Sequence, residues 1–318
     1  TSAAVRQAMS TELGYDLQLW RRICDEMCWQ GMHIPEAYGG LGLGYVELVA
    51  TLEQMGRYLC CSPFYASVCL AANALLVAGT EDQKLTYLPQ IAVGKTATLA
   101  YTGESGGWDS NSVKVTYQKQ GDSYRLNGSY RFVPDGHSAE ILVLAARDQD
   151  TQGDEGISLF VVPANTPGIR REWLPTMDQT RRQGQLQLDD LVLNSDAVMG
   201  DVGQSWGQLE QILDLGRIAV AAEQLGGSQQ CLDSAVADIS ERVQFGRSIA
   251  SYQSVKHKCA DMMVKVEASR SAVYYAACVG DQFFNQTSDA VGLAEAASIA
   301  KAYSSEGFFH NAGVGIQL

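Results

Sequence analysis

The sequence predicts an α+β chain in three consecutive parts: an N-terminal helical domain over 1–94, a middle antiparallel, barrel-like β domain over 95–200, and a C-terminal helical bundle over 201–318. Two changes of texture carry this prediction. Apolar residues recur at helical spacing near both ends, and between them the pattern switches to short β-rich runs punctuated by turn residues. The 318 residues, 46% hydrophobic and 19% charged, suffice to bury cores of that size in an ordinary globular chain.

In the first part, Leu17, Trp20, Ile23, Cys24 and Met27 recur at helical spacing, as do Val46, Leu48, Val49, Leu52 and Met55. Between these stripes Gly39–Gly44 reads GGLGLG. It looks like a dinucleotide fingerprint but lacks the preceding strand and the downstream acidic residue, so a loop joining helices is expected. The apolar stretch from Ala66 to Gly79 falls short of the roughly 20 residues of a membrane span and contains Asn73, so it is expected to form a core helix. Pro89 and Gly94 mark the end of the helical part. The runs TATLAY, SVKVTY, YRLNGSYRFV, EILVLAAR, ISLFVV and GQLQLDDLVL then supply strands. Turn chemistry separates them at Gly121–Asp122, Asn127–Gly128, Asp135–Gly136, Asp154–Gly156 and Pro167–Gly168. After Gly207, Val255, Cys259, Met262, Val266 and Val273 form the apolar stripe of a bundle helix.

A formal charge of −13, from 23 Lys and Arg against 36 Asp and Glu, argues against nucleic acid or an anionic membrane as partner. An anionic ligand needs local cations, for which Arg242, Arg247 and Lys256 are available. The eight cysteines make no disulfide framework in so long a chain, and the bland reading is reduced, mostly buried thiols in a cytoplasmic protein. His33, His137, His257 and His310 are too scattered for a metal site, and no GxSxG, HExxH or P-loop occurs.

The densest signal is ERVQFGRSIASYQSVKHKCADMMVKVEASRSAVYYAA, Glu241–Ala277. Arg242 offers a planar guanidinium suited to a bidentate grip on a pyrophosphate, Phe245 can cover a ring, and Gly246 lets a backbone come close. Alone, these residues describe only an anion-plus-aromatic site. Their order, Arg-x-Gln-Phe-Gly followed by Gln253, His257, Ala260-Asp261-Met262 and Glu267-Ala268-x-Arg270, resembles the flavin-binding signature of the acyl-CoA dehydrogenase family. MHIPEAYGGLGLG, Met32–Gly44, resembles that family's N-terminal helical domain, and the final NAGVGIQL resembles the segment leading into its Gly-Gly turn. The chain opens at Thr1 rather than Met and stops at Leu318 inside that motif, so both ends are expected to be incomplete.

The resemblance implies FAD, an acyl-CoA substrate, an electron-transfer flavoprotein as electron acceptor, a role in fatty acid or steroid degradation, and a homo- or hetero-tetramer. It also divides the implied flavin site in two. Arg242, Gln244, Phe245 and Gln317, with Tyr252 and Gln253 nearby, match positions that reach the FAD of a neighbouring subunit. Tyr101, Thr102, Phe132 and Pro134 lie in the elements that cradle the subunit's own ring system. There the family's Thr-Glu-Pro-Gly-x-Gly-Ser-Asp loop reads YTGESGGWDS, with Trp108 in place of a small residue. Its Trp-Ile-Thr-Asn-Gly strand end reads FVPDG, so Phe132 replaces tryptophan and Pro134 replaces threonine. Proline has neither N–H nor hydroxyl, which removes two donors at one position.

The resemblance further implies a carboxylate that removes the α-proton of the thioester. Some members carry it directly before the Arg of an LDLxR segment; here that segment is LDLGR and the position is Gly216, while most other members carry it after the Gly-Gly turn, a position beyond Leu318. Asp214 and Arg217 match positions near the substrate, and Glu223 on the same predicted helix is a weak candidate for the base. Three readings follow: an FAD-dependent dehydrogenase that converts an acyl-CoA to a trans-2-enoyl-CoA, a base-lacking subunit that completes the FAD site of a homologous partner, or a flavin-dependent monooxygenase or oxidase on the same fold.

Overall fold

A computed structural model describes residues 1–287 and 290–318. In chain order the helices are α1 (Ser2–Ser10), α2 (Leu17–Asp25), α3 (Tyr45–Arg57), α4 (Asn73–Ala78), α5 (Glu81–Ala92), α6 (Trp206–Glu241), α7 (Gln253–Phe284) and α8 (Ala290–Gln317). The strands are β1 (Ala97–Ala100), β2 (Thr116–Gln120), β3 (Ser123–Pro134), β4 (Ile141–Asp148), β5 (Ile157–Pro163), β6 (Ile169–Leu174), β7 (Gln183–Asn194), β8 (Val198–Met199), β9 (Val243–Gln244) and β10 (Arg247–Ser248). The chain gathers into two compact units. One comprises Ser2–Leu43 and Cys61–Leu213, the other Gly44–Cys60 and Asp214–Leu318.

The first unit is built on a sheet ordered β6-β7-β3-β2-β4-β5-β8. Strand β1 pairs in parallel with the start of β4, and β2 pairs in parallel with its last residues. The sheet is therefore mixed, not antiparallel, and among the described residues no ladder joins β6 to β8, so it is open and not barrel-like. The reason lies in β4, which is buried on both faces. Leu142, Leu144 and Ala146 pack with Tyr117, Tyr124, Tyr130 and Phe160 between the two halves of the sheet. Ile141, Val143 and Ala145 pack instead with Leu75, Leu88, Ile91 and Leu209 from helices. A strand whose two faces alternate between a sheet core and a helical core has a near-continuous apolar sequence, as EILVLAAR does.

Helices cover one face of this sheet. The predicted core helix is present, with π-type turns over Tyr65–Ala72 continuing into α4. Thr80 and Gln83 form a capping box at the start of α5, and Gln83 Nε2 also donates to the carbonyls of Asp196 and Val198 at 2.8 Å each. The helix runs through Pro89 to Ala92, and Gly94 at φ +100° turns the chain into β1. The GGLGLG run is a loop as expected; a Cβ on Gly40 would lie 2.0 Å from the Ile34 carbonyl oxygen. Arg182, 8% exposed, stacks on Trp173 at 4.4 Å and donates to the carbonyls of Met9 in the last turn of α1 and of Thr11 and Glu12 just after it.

The second unit is helical. Gly56 on α3 and Gly226 on α6 allow those backbones to touch, since a Cβ on either would meet a carbonyl oxygen of the opposite helix at 2.0 and 1.8 Å. Helix α7 buries Met262, Val266 and Val273 of the predicted stripe, with Val255 and Cys259 half-buried. Glu53, 6% exposed, accepts from Arg270 of α7 and from the Tyr274 hydroxyl, tying α3 to α7.

Candidate active site

In the sheet unit, the loop after β1 and the end of β3 converge on a cleft of about 520 Å³. Strand β3 carries a register irregularity between Tyr130 and Val133, and Phe132 sits within it at φ +59°. Such a bulge re-aims a side chain, and here it brings Phe132 into the cleft lining. The loop is tied to the strand by Arg131 N–H donating to the Thr102 carbonyl at 3.1 Å. Gly106, at φ +63°, lies close enough that a Cβ there would come within 3.2 Å of the Phe132 ring. Tyr101 and Trp108 form a tilted aromatic pair at 6.3 Å across the same loop. Tyr101, Thr102, Phe132 and Pro134, the sequence-derived set for the subunit's own ring, thus line one cleft.

Its polar chemistry is sparse. Thr102 Oγ1 is buried without a hydrogen-bond partner. The Pro134 carbonyl accepts from Thr98 Oγ1 at 2.6 Å, and proline leaves no N–H there for a ligand. Directly behind, Asp135 is 4% exposed at φ +51°, and its Oδ2 has no hydrogen-bond partner. Burial pushes its carboxyl up to about 7, with Arg181 opposing. Arg131 and Arg181 also line the cleft. Sequence reasoning missed both; they stand about 50 residues apart and meet only through the β3–β7 ladder, in which Pro134 faces Gln183.

In the helical unit the structure brings together a second set. Strands β9 and β10 form a hairpin whose two-residue loop is Phe245-Gly246, at φ +54° and +77°. Positive φ at both loop positions is the signature of a type I′ turn, in which a bulky first residue is strained. It holds Phe245 outward, 93% exposed. Arg242, Gln244, Phe245, Tyr252 and Gln317 line one surface hollow of about 440 Å³. Arg242 Nη1 donates to the Leu318 carbonyl at 3.4 Å, and Arg247 lies over the Tyr252 ring at 4.0 Å. Gln253, the first residue of α7, is not part of that lining.

The third set sits on α6. Asp214 is 4% exposed and paired with Arg217 one turn on. Burial raises its carboxyl while Arg217 opposes the rise. Burial and the same arginine hold the Lys301 ammonium below its ordinary range. Gly216 is buried. Glu223 stands where α6 crosses α3, its backbone against Gly56, a position that serves helix packing. Among the described residues no group of three or more His, Cys, Asp or Glu could hold a metal ion, and no helix is long and apolar enough to cross a membrane.

Three family models match in chain order: acyl-CoA dehydrogenase N-terminal domain over 2–95, middle domain over 98–191 and C-terminal domain over 203–318. The chain is 33% identical over 285 residues to an acyl-CoA dehydrogenase of Bacillus subtilis, covering 87% of this chain and 72% of that one. It is 31% identical over 287 residues to the caffeyl-CoA reductase–Etf complex subunit CarC of Acetobacterium woodii, with the same coverage of each. The butyryl-CoA dehydrogenase structure from Megasphaera elsdenii superimposes with a TM-score of 0.89 at 28% identity, over 100% of this chain and 83% of that one. The chain belongs to the acyl-CoA dehydrogenase family, whose members are FAD-dependent oxidoreductases.

Proposed function

We propose that this chain binds FAD in the sheet-unit cleft and dehydrogenates an acyl-CoA at its α,β bond to a trans-2-enoyl-CoA, passing electrons to an electron-transfer flavoprotein. The observation that carries the reading is the cleft itself. Aromatic faces of Tyr101, Trp108 and Phe132 suit a planar ring, and the buried Thr102 hydroxyl lacks the partner that a heteroatom of such a ring supplies. When bound, FAD supplies the acceptor for the hydride leaving the β-carbon. The chain's own part is to hold the ring, to orient the thioester and to take the α-proton on a carboxylate. Asp214, fixed by Arg217, is a positioning group in this scheme, and Gly216 has no group that accepts a proton.

Phe245, held outward in a strained turn beside Arg242 and Gln317, has the form of an arm that covers a ligand on another subunit. Assembly as at least a dimer, and a tetramer by family likeness, follows from this reading. The thiols are not mostly buried as expected: Cys24, Cys61 and Cys69 are buried, Cys60, Cys231 and Cys259 half-buried, and Cys28 and Cys278 exposed, and reduced thiols of this kind suit a reducing, cytoplasmic compartment. The test is anaerobic mixing with straight-chain, branched and steroid-side-chain acyl-CoA thioesters while following flavin absorbance. Bleaching by any of them supports the reading, and no response from flavin-loaded protein overturns it.

A specific pair of observations favours a second reading. Pro134 removes donors from the cleft, and Gly216 removes one family position for the base. A subunit so altered would lend Arg242, Phe245 and Gln317 to FAD on a homologous, base-carrying partner. Flavin that appears only on co-purification with that partner distinguishes this arrangement.

A further inference from the structure

Two residues of the cleft depart from the family pattern together: Trp108 stands where a small residue is usual, and Pro134 stands where a threonine is usual. Both replacements belong to one lining. Proline takes away an N–H and a hydroxyl at the end of β3, and its carbonyl accepts from Thr98 Oγ1. Tryptophan brings an indole N–H, which only donates, on a large apolar body. Trp108 is 67% exposed, and its N–H makes no hydrogen bond among the described residues. The loop that carries it is nonetheless tied on both sides. Gly103 N–H donates to the Ser112 carbonyl at 3.0 Å, and Ser112 N–H and Oγ donate to the Asp109 carbonyl and Oδ1 at 3.0 and 2.9 Å. A donor presented on a tied loop loses little freedom when a ligand arrives. The rings of Tyr101 and Trp108 are inclined by 48°, so a planar ligand lying flat on Tyr101 does not lie flat on Trp108 and is offered its edge, where the N–H is.

We propose that Trp108 takes over the donor role that Pro134 gives up, so that the indole N–H binds the edge of a planar ring in this cleft while the indole body screens that bond from water. The ring that fits carries acceptor atoms on its edge, as the isoalloxazine of flavin does at its carbonyl oxygens and ring nitrogens. The role rests on the dehydrogenase reading, because flavin is the ring it holds. It bears on the base-lacking reading as well: a cleft whose donors are exchanged keeps its own flavin, and a cleft whose donors are only lost does not. One such hydrogen bond contributes about tenfold in affinity.

The test uses the full chain stripped of flavin, with Trp108→Phe, Trp108→Ser, Pro134→Thr and Trp108→Ser/Pro134→Thr beside it. FAD affinity is read by titration, from the change in flavin fluorescence on binding. Because Trp108 is mostly exposed, the flavin-free Trp108 variants are expected to melt with the parent. Trp108→Phe keeps a ring and loses the donor, and is expected to bind FAD about tenfold more weakly. Pro134→Thr returns donors to the strand end, and is expected to regain about tenfold in the Trp108→Ser background and less in the parent. Parent affinity in Trp108→Phe, or equal effects of Pro134→Thr in the two backgrounds, overturns the exchange and leaves the dehydrogenase reading standing. A parent chain that binds no FAD overturns that reading, and this role with it.

Discussion

Replacing Asp135 by Asn gives the cleanest energetic test of the cleft's buried wall. The side chain is 4% exposed, its Oδ2 has no hydrogen-bond partner, and burial moves its carboxyl from an ordinary 3.8 to about 7. Between those values the folded chain holds a proton that the unfolded chain has released. Stability from this group is therefore fully present below about pH 4 and is lost as pH rises to about 7, at about 1.4 kcal/mol per pH unit. The total approaches ~4 kcal/mol above pH 7 as an upper bound. Asparagine is nearly isosteric, tolerates the left-handed φ of +51° and cannot ionise. Backbone bonds from Asp135 N–H to the Arg182 carbonyl and from Ala139 N–H to the Asp135 carbonyl remain available to it. The parent's own pH profile hides the effect. His33, which burial lowers from 6.5 to about 4, contributes a slope of opposite sign over nearly the same range. The difference between variant and parent isolates Asp135. Urea unfolding from about pH 4 to about pH 8 is expected to show coincident stabilities at the acid end and a variant more stable by ~2–4 kcal/mol at the alkaline end. Parallel curves, or a variant less stable at every pH, would refute a buried Asp135 whose ionisation Arg181 only partly compensates.

Arg182→Ala strips the carbonyls of Met9, Thr11 and Glu12 of their shared donor and removes the Trp173 stack, so a loss of about 3 kcal/mol is expected by chemical denaturation. Glu53→Gln leaves Arg270 without its buried counter-charge, and about 3 kcal/mol of destabilisation is expected, with the helical unit melting first. Arg242→Lys exchanges a planar fork for a point charge and is expected to weaken FAD retention during gel filtration while leaving the melting temperature of ligand-free protein unchanged. Undiminished flavin in that variant removes Arg242 from the site.

Helix–sheet–helix order was legible because periodicity is local. The stripe Met262, Val266 and Val273 and the double-faced β4 announce their own burial. Strand β6, IRREWL, was not legible: it lies at the sheet edge and none of its residues is buried, so no alternation marks it. The open, mixed sheet escaped for a different reason. Nothing within β1, β2 or β4 states that β1 and β2 both run parallel to β4, because that pairing depends on which faces the helices cover. At the candidate site, the aromatic and hydroxyl groups of the cleft were found through motif likeness. Arg131 and Arg181 were not, since only the β3–β7 register brings the two segments to one end.

The central claim, that this chain holds flavin in its own cleft, is tested most directly by the visible spectrum and flavin-to-chain ratio of the protein purified alone. Expected is a yellow protein with stoichiometric FAD whose absorbance bleaches on anaerobic addition of an acyl-CoA. A colourless chain that acquires flavin only beside a homologous partner would contradict it.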